Sequence, residues 1–505
     1  MLTKRTSGIL LHFTSLPGNH GVGDLGAGAY KFIDFLSAAR QSCWQFLPIG
    51  RTSTAFDNSP YMCRSVFAGN PLLINLELMA EKGLLSHADL KNSPEFSQYF
   101  VDYTAVVSYK SKLLRKGFKN FTGHKSNEEF ASFCRDHKYW LDDYALFMHF
   151  RDLFQGRPWS EWPEFAARHD RKVLDKYREK HTDKLLYYKF IQFVFFEQWQ
   201  KVRTHAQEKN ISLVGDIPIY VAMDSADVWA NQELFKIDPK TLIPQKVAGV
   251  PPDYFSETGQ RWGNPVYRWK IQGREPNKKL YDWWFARFKQ IFTMMDMVKI
   301  DHFRGFEAYW EIPAREKTAV KGKWVKGPGT HFFTIMKNRL KELPIIAEDL
   351  GVITPSVEKM LDDLGFPGMR VLQFAFESDE TNPYLPHNYE KTNTVVYTGT
   401  HDNNTTLGWF LSNKLSEDTR NRIRRYLNSY DDSHIAWELT RLAMSSVAAL
   451  AITPMQDILG FGEDCQMNRP GTASGNWRWR CAPHFLNHEV AQRLFSMTQF
   501  YNRLS

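Results

Sequence analysis

Four segments of this chain run as short apolar stretches straight into acidic side chains. Residues 297–306 (MVKIDHFRGF) deliver Asp301, His302 and Arg304 ahead of a turn at Gly305. Residues 345–351 (IIAEDLG) end on Glu348 and Asp349, and residues 395–404 (VVYTGTHDNN) lead to His401 and Asp402. Residues 212–221 (SLVGDIPIYV) carry Asp216. A short apolar run bounded by turn signals reads as a buried strand. In a barrel of parallel strands the reacting groups stand at the C-terminal strand ends. Any one of these segments is equally a strand closed by a surface ion pair. Fourfold repetition favours a shared pocket.

The rest of the chain supplies the alternation that such a barrel needs. Strand-like runs fall at 8–14, 42–49, 212–219, 297–301, 345–348, 368–376, 394–398 and 447–455, separated by segments of helical periodicity. Eight strands alternating with helices predict an α/β fold, a (β/α)8 TIM barrel. The 505 residues exceed the roughly 250 of a bare barrel, so the remainder is insertion. Residues 1–55 open the barrel, 56–185 form a mainly helical insertion after the second strand, and 186–505 complete the barrel. An irregular insertion rich in Pro, Gly and aromatics spans 224–270 after the third strand, and a loop that long is usually functional. The terminal helix is expected over 488–504. Gly21-x-Gly23-x-x-Gly26 has the spacing of a dinucleotide fingerprint. It is rejected because the glycines lie past the strand end and no acid closes the second strand.

Composition removes several function classes. The formal charge of +8 would suit nucleic acid, but Lys and Arg are dispersed and their denser spots, 110–119 and 171–184, read as solvated helix faces. No nucleic-acid partner is expected. Five scattered cysteines without a CxxC pair, and no secretory leader, indicate a reducing cytoplasm. No apolar run approaches the roughly 18 residues of a membrane span. Aromatic residues make up 15% of the chain, and the Trp and Tyr among them suit stacking on sugar rings as well as core packing.

Several carboxylates around one pocket serve either metal binding or acid–base work on a glycosidic bond. His302 and His401 each adjoin an Asp, which keeps a metal site open. The aromatic supply favours sugars. Retaining glycosidic chemistry needs one ionised carboxylate and one protonated carboxyl. Lys299 lies two residues before Asp301, on the same strand face, and would keep it ionised. Glu348, with its longer arm after an apolar run, suits the proton donor. Asp402 would orient sugar hydroxyls.

From end to end the chain resembles the amylomaltase type of 4-α-glucanotransferase, glycoside hydrolase family 77. The resemblance rests on LLHFTSLPG (10–18), GVGDLG (21–26), SPY (59–61), FAGNP (67–71), GDIPIYVAMDSADVW (215–229) and QRWGNPVY (260–267). It continues through IDHFRGF (300–306), AEDLG (347–351), NPYLPHNY (382–389), TGTHDNNTT (398–406) and RPGTASGNWRWR (469–480). It implies Asp301 as nucleophile, Glu348 as general acid/base and Asp402 as transition-state stabiliser. It further implies sugar contacts from Tyr61, Asp216, Trp262, His302, His401 and Asn468, and a 250–256 loop capping the acceptor site. The substrates implied are maltooligosaccharides and other α-1,4-glucans, handled by a monomer or homodimer without metal or organic cofactor. An amylase-like hydrolase on the same barrel is the alternative, since both would share these carboxylates. Two positions depart from the pattern. Lys299 stands where the family has Arg, keeping the cation but losing the planar fork. Phe56 stands where some relatives place a Tyr associated with a second, remote glucan contact.

Overall fold

The computed structural model describes residues 2 and 4–504, except 123–126, 253–255, 272 and 274. The loop expected to cap the acceptor site thus has its centre outside the described residues. Eight strands form one sheet: β1 Thr6–Leu10, β2 Cys43–Gln45, β3 Ser212–Pro218, β4 Met297–Asp301, β5 Ile345–Ala347, β6 Gly368–Val371, β7 Thr394–Tyr397 and β8 Leu450–Pro454. Their order is β5-β4-β3-β2-β1-β8-β7-β6, and every ladder is parallel. The two edges meet where the Ala347 N–H donates to the Pro367 carbonyl at 2.9 Å. Asp349 reinforces that seam. Its Oδ1 accepts the Met369 N–H at 2.6 Å, and its Oδ2 lies 3.3 Å from Arg370 Nη1. Gly368 is required there, because a Cβ would stand 2.4 Å from Asp349 Oδ2. The second acid of the Glu348–Asp349 pair therefore closes the barrel.

Several strands are shorter than the apolar runs that announce them. The first was expected over 8–14 and ends at Leu10, after which Phe13–Ser15 turns as a 3-10 helix. The sixth was expected over 368–376, yet Leu372–Phe376 coils into a 3-10 helix. A strand persists only where neighbours offer ladder partners, and β5 and β7 have already ended. The excess apolar residues pack the barrel mouth instead.

Between β2 and β3 the chain is helical, with Tyr103–Thr122, Glu128–Asp136 and Lys138–Leu153 among its longer elements. The helix Thr182–Glu208 returns to the barrel, buried along much of its length. Two glutamines on it hold the two ends of the 69–75 segment, whose centre, Pro71–Leu73, is a 3-10 helix. Gln192 exchanges hydrogen bonds with the Gly69 N–H and C=O at 2.8 and 3.1 Å, and Gln198 does so with Asn75 at 2.7 and 3.0 Å. Each side-chain amide imitates a ladder partner for backbone that would otherwise be buried unpaired.

The 224–270 stretch is more ordered than its composition announces. Lys246–Val250 and Gln260–Pro265 join Ala308–Pro313 and Lys323–Lys326 in a four-stranded antiparallel sheet. These strands are short, polar and interrupted by a register shift between Val247 and Gly249, so no alternating pattern marks them. At the Gly26 end of helix Ala27–Ala38, the Asp24 carboxylate accepts the Gly26 N–H at 3.0 Å. The site a dinucleotide phosphate would occupy is filled by the protein's own anion. No helix among the described residues is long and apolar enough to cross a membrane.

Candidate active site

Strand geometry brings the candidate residues together at the C-terminal mouth of the barrel. In the β3–β4 ladder Asp216 is the direct partner of Lys299, and Pro218 of Asp301. Lys299 and Asp301 share one face because side chains alternate along a strand. Lys299 Nζ therefore bridges two carboxylates, at 2.8 Å from Asp216 Oδ2 and 3.1 Å from Asp301 Oδ1. The ammonium and Asp216 are buried, whereas a third of the Asp301 side chain is open.

β5 ends one residue before Glu348. The Glu348 N–H still donates to the Ile300 carbonyl at 3.1 Å, so the side chain emerges beside the end of β4. Its Oε2 accepts the His302 N–H at 2.6 Å and its Oε1 the Leu350 N–H at 2.8 Å. His302 reaches this position in the left-handed region, with φ at +55°. A branched aromatic side chain adopts that conformation at a cost of about 1 kcal/mol or more. Here it turns the backbone amide onto Glu348.

The environments drive the two carboxyls apart. Burial raises Glu348, and the negative Asp301 raises it further; Lys299 and the two amide donors oppose this without cancelling it. Burial pushes Asp301 the same way, but Lys299, through charge and hydrogen bond, together with the nearby His401 and His302, holds it below the usual carboxylate range. Lys299 itself remains charged: burial disfavours the ammonium, and Asp216 and Asp301 outweigh it. Burial brings His302 down to about 4, so at neutral pH it is an uncharged imidazole. Its Nε2 is buried and makes no hydrogen bond among the described residues.

Asp402 lies in the loop after β7 and is the most exposed of the three carboxylates. Its Oδ1 accepts from Asn468 Nδ2 at 2.6 Å and lies 3.2 Å from His401 Nε2. Tyr61 ties this side to the strand side. Its hydroxyl donates to Asp216 Oδ2 at 2.7 Å, and its ring stacks on His401 with centroids 5.2 Å apart. Trp477 is buried and packs behind both rings. Trp262 comes from the antiparallel sheet and meets His302 edge-on at 4.8 Å.

Trp262, Lys299, Asp301, His302, Glu348, His401 and Asp402 line one cleft of about 710 Å3. Tyr61, Asp216 and Asn468 join it through the hydrogen bonds above. Sequence reasoning missed Phe374, Glu377, Asn382 and Tyr384, which also line the cleft. Phe374 and Glu377 follow the sixth strand, and their place at a C-terminal strand end was the available signal. Among the described residues no group of three or more His, Cys, Asp or Glu side chains could hold a metal ion.

A family model described as 4-alpha-glucanotransferase matches residues 11–486. The chain is 50% identical to a 4-alpha-glucanotransferase of Synechocystis over 507 residues, covering all of this chain and 99% of that one. It is 45% identical to one from Thermus thermophilus over 513 residues, covering both completely. Among solved structures, the amylomaltase from Streptococcus agalactiae in complex with acarbose superposes with a TM-score of 0.94 at 38% identity, covering 99% of this chain and all of that one. Family match and relatives extend over the carboxylate cleft and the barrel that builds it, and the chain belongs to the 4-alpha-glucanotransferases of glycoside hydrolase family 77.

Proposed function

We propose that this enzyme transfers a segment of a 1,4-α-glucan to the 4-hydroxyl of an acceptor glucan or glucose by a retaining double displacement. Asp301 attacks the anomeric carbon while Glu348 gives its proton to the departing glycosidic oxygen. The C1–O bond breaks, and a glycosyl ester forms on Asp301. Glu348, now a carboxylate, takes the proton from the acceptor 4-hydroxyl as that oxygen attacks C1 and the ester breaks. Two inversions leave the configuration retained. Asp402, oriented by Asn468 and His401, stabilises the charge developing on the sugar. Tyr61, Lys299, Trp262, His302, His401 and Asn468 form the surrounding binding surface, and the buried Asp216, expected to touch sugar, instead holds Lys299 and Tyr61 from behind. Transfer exceeds hydrolysis when the acceptor fills the cleft and excludes water.

The observation that carries this reading is the division of the carboxyl pair, Asp301 held ionised by Lys299 and Glu348 held protonated by burial beside it. Acid–base assignments follow from environments that push two carboxyls apart. The complex of the Streptococcus agalactiae amylomaltase with acarbose supports an α-glucan ligand for this chain. The test is to trap the ester. Glu348→Gln incubated with an α-maltosyl fluoride donor should gain one glycosyl mass by intact mass spectrometry, mapping to the peptide that holds Asp301. An adduct on another residue, or an equal adduct on an Asp301→Asn, Glu348→Gln double variant, would remove Asp301 from the nucleophile's role.

A further inference from the structure

A second concavity of about 510 Å3 lies between the 51–64 segment and the helical insertion, within the size range of small-molecule sites. Four arginines line it: Arg51, Arg64, Arg115 and Arg151. Their charges are incompletely matched. Arg64 and Arg151 share a single carboxylate, Asp224, which Arg64 Nη1 meets at 2.5 Å. Arg115 Nη2 lies 3.2 Å from Asp152 Oδ2. Arg51 forms no ion pair within 4 Å among the described residues, and Tyr144, Tyr187 and Asp152 are the groups near enough to favour its charge. Four cations thus answer to two carboxylates, which leaves the pocket with excess positive charge. Asp224 is not on the wall, so Asp152 is the one acid facing the space.

The remaining lining is suited to a polyhydroxylated ligand. Thr52, Thr54 and Ser111 present hydroxyls, and the Tyr187 ring forms an aromatic patch with the Arg115 guanidinium 4.7 Å above it. Guanidinium forks match phosphate oxygens in bidentate fashion, and several at one site favour a dianion over a neutral sugar. The catalytic cleft has the opposite character, with Asp301, Glu348 and Asp402 on its walls. An anion attracted to the first would be repelled by the second. We propose that the arginine-lined pocket is a binding site for a phosphoryl group, presented as free phosphate or on a small sugar, distinct from the glucan cleft. One segment, 51–64, supplies the pocket wall and also carries Tyr61 of the catalytic site. The Arg64 N–H donates to the Arg51 carbonyl at 2.9 Å, Arg64 Nη2 donates to Ser53 Oγ at 2.6 Å, and Tyr61 lies between these anchors on the same segment.

Isothermal titration of the full-length protein at low ionic strength tests this with three probes: inorganic phosphate, glucose 1-phosphate and neutral maltose. Both phosphate-bearing probes should give saturable heat that Arg51→Gln and Arg115→Gln each weaken at least tenfold, while the maltose isotherm stays unchanged in both variants. Tighter binding of glucose 1-phosphate assigns the site to a sugar phosphate, and equal binding assigns it to free phosphate. Circular dichroism and Tm verify the fold of each variant. Arg115, whose side chain is more than half exposed, carries the test if Arg51→Gln fails to fold. Absence of saturable heat from both phosphate probes, or affinities that Arg115→Gln leaves within twofold, would overturn the proposal.

Discussion

Replacing Lys299 by Met removes the cation held between Asp216 and Asp301, and the structure sets the size of the effect. At 2.8 and 3.1 Å, and with an effective permittivity near 20, each contact is worth about 5 kcal/mol before desolvation. The Asp301 contact is discounted because its carboxylate is partly open to solvent. Burial of the ammonium consumes several kcal/mol more, but breaking a buried pair by deleting one partner still costs about 3–5 kcal/mol. Asp216 can relieve part of that loss by taking up a proton, since burial already raises it against the pull of Lys299. Without the cation both carboxyls protonate more readily in the folded state. The destabilisation is therefore largest at high pH and shrinks as pH falls and they become neutral. Activity moves in step. Asp301 must be ionised to react, so the acid limb of kcat/KM should shift upward by about 1–2 pH units. The plateau should fall about 10²–10³-fold, the usual loss for one preorganised electrostatic partner. The assay is glucose release and the maltooligosaccharide ladder from maltotriose between pH 4 and 9, paired with Tm at pH 5 and 8. Lys299→Arg keeps the charge and should keep the acid limb. A Lys299→Met enzyme with the wild-type acid limb and the wild-type Tm at pH 8 would refute this account.

Glu348 governs the other limb. Its folded pKa is raised, so its protonated form favours the fold below the ordinary Glu range, and that contribution is lost as pH rises through the folded value. Glu348→Gln should flatten both the alkaline decline in Tm and the basic limb of kcat/KM, with kcat on maltotriose lower by about 10²–10⁴; an unchanged basic limb would assign that ionisation elsewhere. Arg503 tests the fold apart from the chemistry. Its buried guanidinium donates to the Met444, Thr6, Ser446 and Ala448 carbonyls at 2.7, 2.8, 3.1 and 2.9 Å, pinning the C-terminus to the barrel floor. Arg503→Met should lower stability by about 3 kcal/mol in urea unfolding, since hydrogen bonds to charged groups are worth about 1.5–3 kcal/mol each before the relief of desolvation, while kcat per folded molecule holds.

The barrel itself was legible along the chain because burial on both faces of a parallel sheet demands uninterrupted apolar runs, and acids that end such runs stand out. Asp301, Glu348 and Asp402 were found that way, and the i, i+2 spacing placed Lys299 beside Asp301. Spacing could not reveal that Lys299 also holds Asp216, because that depends on the β3–β4 register. Nor could it assign a role to Asp349 beside Glu348. The two are adjacent and equally acidic, yet one opens into the cleft and the other seals the β5–β6 seam. The antiparallel sheet that carries Trp262 left no periodic trace, being short, polar and bulged. The arginine pocket joins residues from 51 to 187 that share no motif. Local pattern determined which segments are strands and which acids end them. Register, closure and the packing of the helical insertion decided which charges face each other, because those distances are set between segments far apart in the chain.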